Sequence, residues 1–168
     1  MTGDPPANDP LDTSILFDVF ALNQSVGRLL AQAMRDGPLT PAEYAVYSAI
    51  FELEAASPTQ VATRLGMRLT TFIDQLRVIE SRGHARRVGH PSDRRSYRIV
   101  LTGAGLAAHR RANRDFERAH VAFTSHLATE PDDARAGLLA LRRAAEAALE
   151  GDLGPGRASP RRQVGRAG

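Results

Sequence analysis

Apolar residues recur every three or four positions along most of the chain, a spacing that predicts helices. Two short segments, 85–88 and 98–101, break this pattern and are joined by turn-forming residues, so they predict a β-hairpin. The predicted order is four helices, the hairpin and two more helices. The fold class is therefore mainly α with a small β-hairpin.

Four predicted helices begin with a capping residue followed by proline, a pair that satisfies free N–H groups and fits the first helical turn. The pairs begin at Asp9, Thr40, Ser57 and Glu130. Thr40 and Ser57 are each followed three residues later by Glu or Gln, which completes a capping box. Helices are therefore expected to start near residues 10, 41, 58 and 131.

The long helix after the hairpin has a seam with heptad spacing, which is typical of helices that pack along their length. The seam consists of Leu106, His109, Asn113, Phe116, His120, Phe123 and Leu127. Because it contains two histidines and an asparagine, we expect part of it to lie at a subunit interface with some positions wet.

The fourth helix also has two distinct sides. Its apolar side is predicted to consist of Leu69, Phe72, Ile73, Leu76 and Ile79. The side facing away is predicted to consist of Thr70, Thr71, Asp74, Gln75 and Arg77.

Composition limits the class of protein. With 168 residues, 42% of them hydrophobic, the chain is long enough for one domain with a real core. No apolar run reaches the roughly 18 residues that a membrane span needs, and the first residues do not resemble a secretory signal, so we expect a cytoplasmic protein without a membrane partner. The absence of cysteine excludes disulfides and cysteine-based zinc sites.

The two ends differ from the middle. Residues 1–8 are polar and proline-rich, which predicts a disordered tail, and residues 151–168 predict a flexible basic tail. Residues 9–150 are expected to form a single domain.

Positive charge is concentrated at the hairpin. All 22 basic residues are arginines, and the whole chain has a net charge of +3. Residues 82–98 contain six arginines and one aspartate, which gives this segment a net charge of +5. This focus of charge predicts binding to a nucleic-acid backbone, against the alternative of an ordinary charged surface.

The second to fourth helices followed by a hairpin have the order of a winged helix-turn-helix. Ala62, Gly66 and Phe72 have the spacing of such a motif, in which a small residue lets the helices cross, glycine makes the turn and an apolar residue anchors the second helix. We expect the DNA-binding winged helix to span 39–102, and helices in 10–36 and 103–149 to form a helical dimerisation region.

Several segments resemble the MarR (multiple antibiotic resistance regulator) family. They are Leu39-Thr40-Pro41-Ala42-Glu43, Leu65-Gly66, Glu80-Ser81-Arg82-Gly83, Pro91-Ser92-Asp93-Arg94-Arg95 and Ile99-Val100-Leu101-Thr102-Gly103-Ala104-Gly105. The resemblance implies a homodimeric bacterial transcription regulator, usually a repressor, often released by a small aromatic or lipophilic ligand. It also implies a palindromic operator in double-stranded DNA.

By this resemblance, the recognition helix reads bases through residues 68–77 and the wing reaches the minor groove through the pair Asp93 and Arg95. The DNA-binding residues expected from the charge pattern and the resemblance are Arg68, Thr70, Thr71, Asp74, Gln75, Arg77, Arg86, Arg87, Asp93, Arg94 and Arg95. Arg68, Ile73 and Asp74 depart from the residue types that the family usually has, which puts the target sequence in question. A ligand pocket is implied near Phe20, Tyr44 and Tyr47, although aromatic residues at helical spacing also fit a core.

An enzyme and a protein-interaction module are the two other classes of function to compare with a DNA-binding regulator. The five histidines lack the spacing of a helical metal pair, and neither a glycine-rich phosphate loop nor a nucleophile elbow is present, so we expect no enzyme, no metal and no cofactor. The alternative to a DNA-binding regulator is a winged-helix protein-interaction module without specific DNA binding, which the unusual recognition helix favours and the basic hairpin opposes.

Overall fold

The computed structural model describes residues 14–89 and 97–151. Within them the chain forms six helices and a two-stranded antiparallel hairpin, which confirms the predicted fold class. The elements are α1 (Ile15–Ala33), α2 (Pro41–Glu52), α3 (Pro58–Leu65), α4 (Leu69–Ser81), β1 (Ala85–Gly89), β2 (Tyr97–Leu101), α5 (Gly103–Thr124) and α6 (Pro131–Glu150). In this described part, none of the helices combines the length and apolar character that crossing a membrane requires.

The chain divides into two compact units, Met1–Phe123 and Thr124–Gly168. The described part of the first unit holds α1 to α4, the hairpin and nearly all of α5. The second contains α6, which has no buried residue and exposes its leucines Leu138, Leu139 and Leu149.

Local capping sets where the helices begin. The Thr40 N–H donates to Glu43 Oε2 (2.8 Å) while the Glu43 N–H donates to Thr40 Oγ1 (3.3 Å), and Ser57 and Gln60 make the same reciprocal pair. The predicted starts at 41, 58 and 131 are confirmed. Asp9 and the predicted start near residue 10 lie outside the described residues.

A single apolar core joins α2, α3, α4 and the hairpin. Its largest fully buried side chains are Tyr47, Phe72, Ile50, Leu76, Ile99, Val46 and Val61. The prediction for α4 was wrong at Leu69, which is 44% exposed, and Ile73 is only partly buried. Leu69 is the first residue of its helix, so it lies at the edge of the core, where the turn from α3 arrives.

The polar positions of the α5 seam have partners within the protomer. His109 is buried, its Nε2 lies 3.0 Å from Ser48 Oγ, and its ring stacks on that of Tyr44. Asn113 Oδ1 accepts a 2.5 Å hydrogen bond from the Tyr44 hydroxyl, and the Phe116 ring also stacks on Tyr44. These residues of α5 therefore pack against α2.

The step from the hairpin into α5 is tied to the end of α4. The Thr102 N–H donates to the His84 carbonyl (2.9 Å), and the Thr102 hydroxyl donates to the Gly83 carbonyl (2.7 Å). The Gly105 N–H in turn donates to Thr102 Oγ1 (3.2 Å). A Cβ atom at Gly105 would lie 2.0 Å from the His84 carbonyl oxygen, so only glycine permits this approach of two backbones.

We predict that Gly105→Ala lowers the free energy of unfolding by about 2 kcal/mol or more, because the added methyl group meets backbone that cannot rotate away. Gly103→Ala is the matched control, since a Cβ atom at Gly103, in the same helical turn, has nothing within 4 Å. Urea unfolding of both variants measures the difference. Equal stability of the two variants would contradict the close approach.

Candidate nucleic-acid interface

A tight turn joins α3 to α4. Gly66 has φ 64°, in the left-handed region that favours glycine, and its N–H donates to the Thr63 carbonyl (3.1 Å). The Met67 N–H then donates to the Ala62 carbonyl (3.0 Å), and Ala62 itself is buried. The predicted roles of the small residue and of the glycine in a helix-turn-helix are met by this geometry.

α4 presents one face to the core and the opposite face to solvent. Phe72, Leu76 and Ile79 are buried. Thr70, Thr71, Asp74 and Arg77 are exposed on the other face, and a groove of DNA could receive them.

Gln75 does not share the solvent side, contrary to the prediction. It precedes the buried Ile79 by four residues and therefore lies on the same face of the helix. It lines a small cavity with Glu43 and Val46 of α2, and its Oε1 is buried without a hydrogen-bond partner among the described residues.

The exposed face of α4 includes an internal ion pair. Arg77 Nη1 lies 2.8 Å from Asp74 Oδ1, one turn earlier, and both side chains are exposed. Asp74 is therefore charge-balanced before any DNA arrives, which reduces its repulsion of phosphate.

Arg68 occupies the position before α4. It has extended backbone (φ −66°, ψ 141°) and its side chain does not cap the helix. The first N–H groups of α4 therefore lack a side-chain acceptor, and a helix start of this kind favours an anion such as a DNA phosphate.

The neighbouring arginines of β1 point to opposite faces of the hairpin. Arg86 pairs across the hairpin with Val100, whereas Arg87 pairs with Ile99, which is fully buried. Arg87 turns back to α4, where its Nε and Nη2 donate to Glu80 Oε1 (2.7 Å) and Oε2 (2.9 Å). Its guanidinium carbon lies 4.5 Å from the centre of the Tyr97 ring.

Arg82, which directly follows α4, pairs with a residue in the first turn of α2. Its Nη1 lies 2.6 Å from Glu43 Oε1, while Oε2 of the same carboxylate accepts from Thr40. Burial alone would raise the pKa of Glu43, but the Thr40 and Arg82 hydrogen bonds outweigh it and lower the pKa below its ordinary value. Beside this pair the Tyr47 hydroxyl lies 2.8 Å from His84 Nδ1, and burial raises the pKa of Tyr47.

These contacts change what the arginine count means. Two of the six arginines in 82–98 pair with carboxylates outside that segment, Arg82 with Glu43 and Arg87 with Glu80. The net charge of +5 therefore overstates the positive charge that the described surface offers. Asp93, Arg94 and Arg95 lie outside the described residues, so their predicted roles stay predictions.

Glu43, Glu80 and Tyr97 are the residues that sequence reasoning missed. No local spacing identified them, because their partners lie 39, 7 and 10 positions away along the chain. The surplus of arginine was visible, but not which carboxylates it would meet.

A separate cavity of about 300 Å³ lies between α2, α3 and the end of α1. Its apolar lining includes Leu30, Tyr44, Leu65 and Phe116. The ion pair between Arg64 and Glu52 (2.8 Å) also lines it. Of the three aromatic residues expected at a ligand pocket, Tyr44 lines this cavity. Tyr47 is instead fully buried in the core, and Phe20 is exposed on α1 and is not among the lining residues.

The described histidines have structural partners. Burial lowers the pKa of His109, so its ring is neutral near pH 7. Within residues 14–89 and 97–151, no three His, Cys, Asp or Glu side chains are grouped so that they could hold a metal ion.

The sequence is similar to that of a curated transcription regulator. The HTH-type transcriptional regulator TtmR of Methylorubrum extorquens (strain PA1) is 31% identical over 100 residues. The match covers 58% of this chain and 51% of the relative, so the chain spans about half the length of that relative. No protein-family model matches the chain.

Solved structures of transcription regulators have the same fold. The PcaV regulator from Streptomyces coelicolor, in complex with its natural ligand, has a TM-score of 0.69 and 27% identity, covering 84% of this chain and 99% of its own. The repressor CouR bound to a 23-mer DNA duplex has a TM-score of 0.69 and 25% identity, covering 85% and 99%. MarR from E. coli in its apo form has a TM-score of 0.61 and 20% identity, covering 78% and 96%, and shares the fold.

We predict that Glu43→Gln lowers the free energy of unfolding by about 0.5–1 kcal/mol near neutral pH, because glutamine keeps the cap on Thr40 but loses the charge pair with Arg82. The pKa of Glu43 is lowered in the folded protein, so the advantage of the wild type is complete above the ordinary value of 4.5 and is lost as the pH falls through the folded value.

Urea unfolding of both proteins at about pH 7 and about pH 3 measures this difference. Glu117→Gln, at an exposed position of α5, is the control and is expected to change little. A Glu43→Gln deficit that persists unchanged at the lower pH would show that the charge pair is not its cause.

Proposed function

We propose that this chain is a winged helix-turn-helix transcription regulator of the MarR type, and that it binds double-stranded DNA as a homodimer. The observation that carries the proposal is the division of α4, which buries Phe72, Leu76 and Ile79 and leaves its opposite face open to a groove. The operator is two-fold symmetric, since a symmetric dimer reads two half-sites about one helical turn apart.

Each exposed group at this surface has a task that its chemistry allows. Arg68 and the N–H groups at the start of α4 contact phosphate, as does Arg86 on the outer face of the hairpin. Thr70, Thr71 and Arg77 meet base edges in the major groove. Asp74 accepts a hydrogen bond from cytosine N4 when Arg77 turns to the DNA.

The exposed apolar surface of α1 supports the homodimer. Its side chains Ile15, Leu16, Phe17, Val19, Phe20 and Leu22 are between 39% and 74% exposed. A monomer seldom leaves so many large apolar groups open to water, so a second copy of the chain covers them. We also propose that the bound dimer represses transcription, and that it is located in the cytoplasm, because it has to reach the chromosome.

The cavity beside Tyr44 supports a small-molecule effector. Its volume of about 300 Å³ lies at the lower end of the range for ligand sites, and its walls are mostly apolar. It is lined by α2 and also by Arg64 and Leu65 of α3, the first helix of the helix-turn-helix. A small aromatic or lipophilic ligand between these helices would shift α3 and with it the attached α4. This shift would lower the affinity for DNA.

We predict steeply salt-dependent binding to a duplex selected from random-sequence DNA. If each protomer contacts about four phosphates, log K falls against log salt with a slope near −7. Arg68→Ala should weaken binding and make the slope shallower by about 0.9 for each phosphate that is no longer neutralised. Arg111→Ala, which removes an exposed arginine of α5, is the charge-matched control. Fluorescence anisotropy measures affinity, and light scattering of the complex is expected to give two chains per duplex.

Two outcomes would count against the proposal. A slope near zero would favour the protein-interaction module, and one chain per duplex would exclude the dimer.

Adding benzoate or decanoate to the preformed complex tests the effector, since release of the duplex is expected with at least one of them. Retention of the duplex with both would contradict an aromatic or lipophilic effector.

A further inference from the structure

The two arginines of β1 differ in what holds them. Arg86 and Arg87 are adjacent, both exposed to some degree, and equal in charge. Cross-strand partners share a face of a hairpin, so the pairing of Arg87 with buried Ile99 places Arg87 on the inner face and Arg86 on the outer one. By sequence alone the two are indistinguishable as DNA contacts.

Arg87, on β1, contacts two other elements at once, α4 and β2. Its guanidinium forms two parallel hydrogen bonds with Glu80 in the last turn of α4, and its plane approaches the ring of Tyr97 on β2. We call this set, Arg87 with Glu80 and Tyr97, the wing clamp. Two-pronged pairing of arginine with a carboxylate fixes direction as well as distance, and the Glu80 side chain is only 23% exposed, which reduces screening by water.

We propose that Arg87 is a positioning residue, which fixes the hairpin on the end of the recognition helix instead of neutralising a DNA phosphate. This inference rests on the proposed DNA binding. To reach a phosphate, Arg87 would have to release Glu80 and leave a carboxylate facing the polyanion, which is unfavourable. The Arg86 side chain makes no hydrogen bond or ion pair with the described part of the chain, and it is the phosphate contact of the pair.

The clamp sets the angle between the two DNA-reading elements. α4 ends at Ser81 and β1 begins at Ala85, so only three residues join them, and Gly83 in this turn has φ 70°. Ala85 and Ile99 share the core of α4 and fix the base of the hairpin, and side chains that cross the turn limit the movement that remains. Glu80 and Arg87 cross the turn on one side, as Thr102 does by its bond to the Gly83 carbonyl.

The sign of the effect of Glu80→Gln separates the two roles. If Arg87 neutralised phosphate, removing the competing carboxylate would tighten DNA binding. If Arg87 positions the hairpin, Glu80→Gln weakens binding, because the amide cannot replace the two-pronged ionic pair. We expect Glu80→Gln, Arg87→Ala and Arg87→Lys each to lower affinity for the selected duplex about three- to tenfold, and the Glu80→Gln/Arg87→Ala double variant to match Arg87→Ala.

The salt dependence gives a second readout that a phosphate-binding role would move. We expect Arg87→Ala to keep the wild-type slope of log K against log salt, whereas Arg86→Ala, the matched control one residue away, lowers its magnitude by about 0.9 for each phosphate that Arg86 neutralises. The proposal is overturned if Glu80→Gln binds more tightly than the wild type, or if Arg87→Ala lowers the slope as Arg86→Ala does.

A measurement without DNA keeps the clamp separate from the proposed function. Amide hydrogen exchange in β1 and β2 should become faster in Arg87→Ala and Glu80→Gln and stay unchanged in Arg86→Ala. Unchanged exchange in the first two variants would contradict the positioning role of the wing clamp, even in a protein that binds DNA. A wild-type protein that fails to bind any duplex would instead overturn the proposed function, and with it the role of Arg87 at DNA.

Discussion

The burial of one face of α4 is the constraint on which the rest of the candidate site depends. Phe72, Leu76 and Ile79 belong to the same core as Tyr47 and Ile99, so the helix cannot turn about its axis without exposing them. Burying such side chains contributes about 1.5–3 kcal/mol each, which exceeds what any exposed ion pair supplies. The face that remains is fixed in direction, and a DNA groove needs a reading surface of this kind.

Polar contacts add to the apolar core in fixing the position of α4 and the hairpin. The core holds α4 against rotation, while the pairs Arg82–Glu43 and Arg87–Glu80 and the Thr102 bond to Gly83 hold its far end and the hairpin. Arginine therefore stabilises internal contacts in this protein, and not every arginine of the segment is available to a partner. The number of arginines in a segment gives its formal positive charge. Only the positions of the carboxylates show which of these arginines are already paired.

The parts of the fold that rest on local chemistry could be predicted from the sequence. Thr40 and Ser57 begin helices where their capping boxes predict, and Gly66 takes the left-handed backbone that the turn requires. Gln75 was assigned to the solvent side because helical spacing alone does not show that α2 packs over it, beside Glu43 and Val46. The partners of His109 and Arg87 depend on which elements meet, and helical periodicity does not contain that information.

The claim that α4 reads bases is tested most directly by changing one reading group and repeating the selection of duplexes from random-sequence DNA. Aspartate accepts a hydrogen bond from cytosine, whereas asparagine pairs with adenine, so Asp74→Asn should change the preferred base at one position in each half-site. The account predicts this change at two symmetric positions and nowhere else, with Arg111→Ala selecting the wild-type sequence. An unchanged preferred sequence for Asp74→Asn would contradict it.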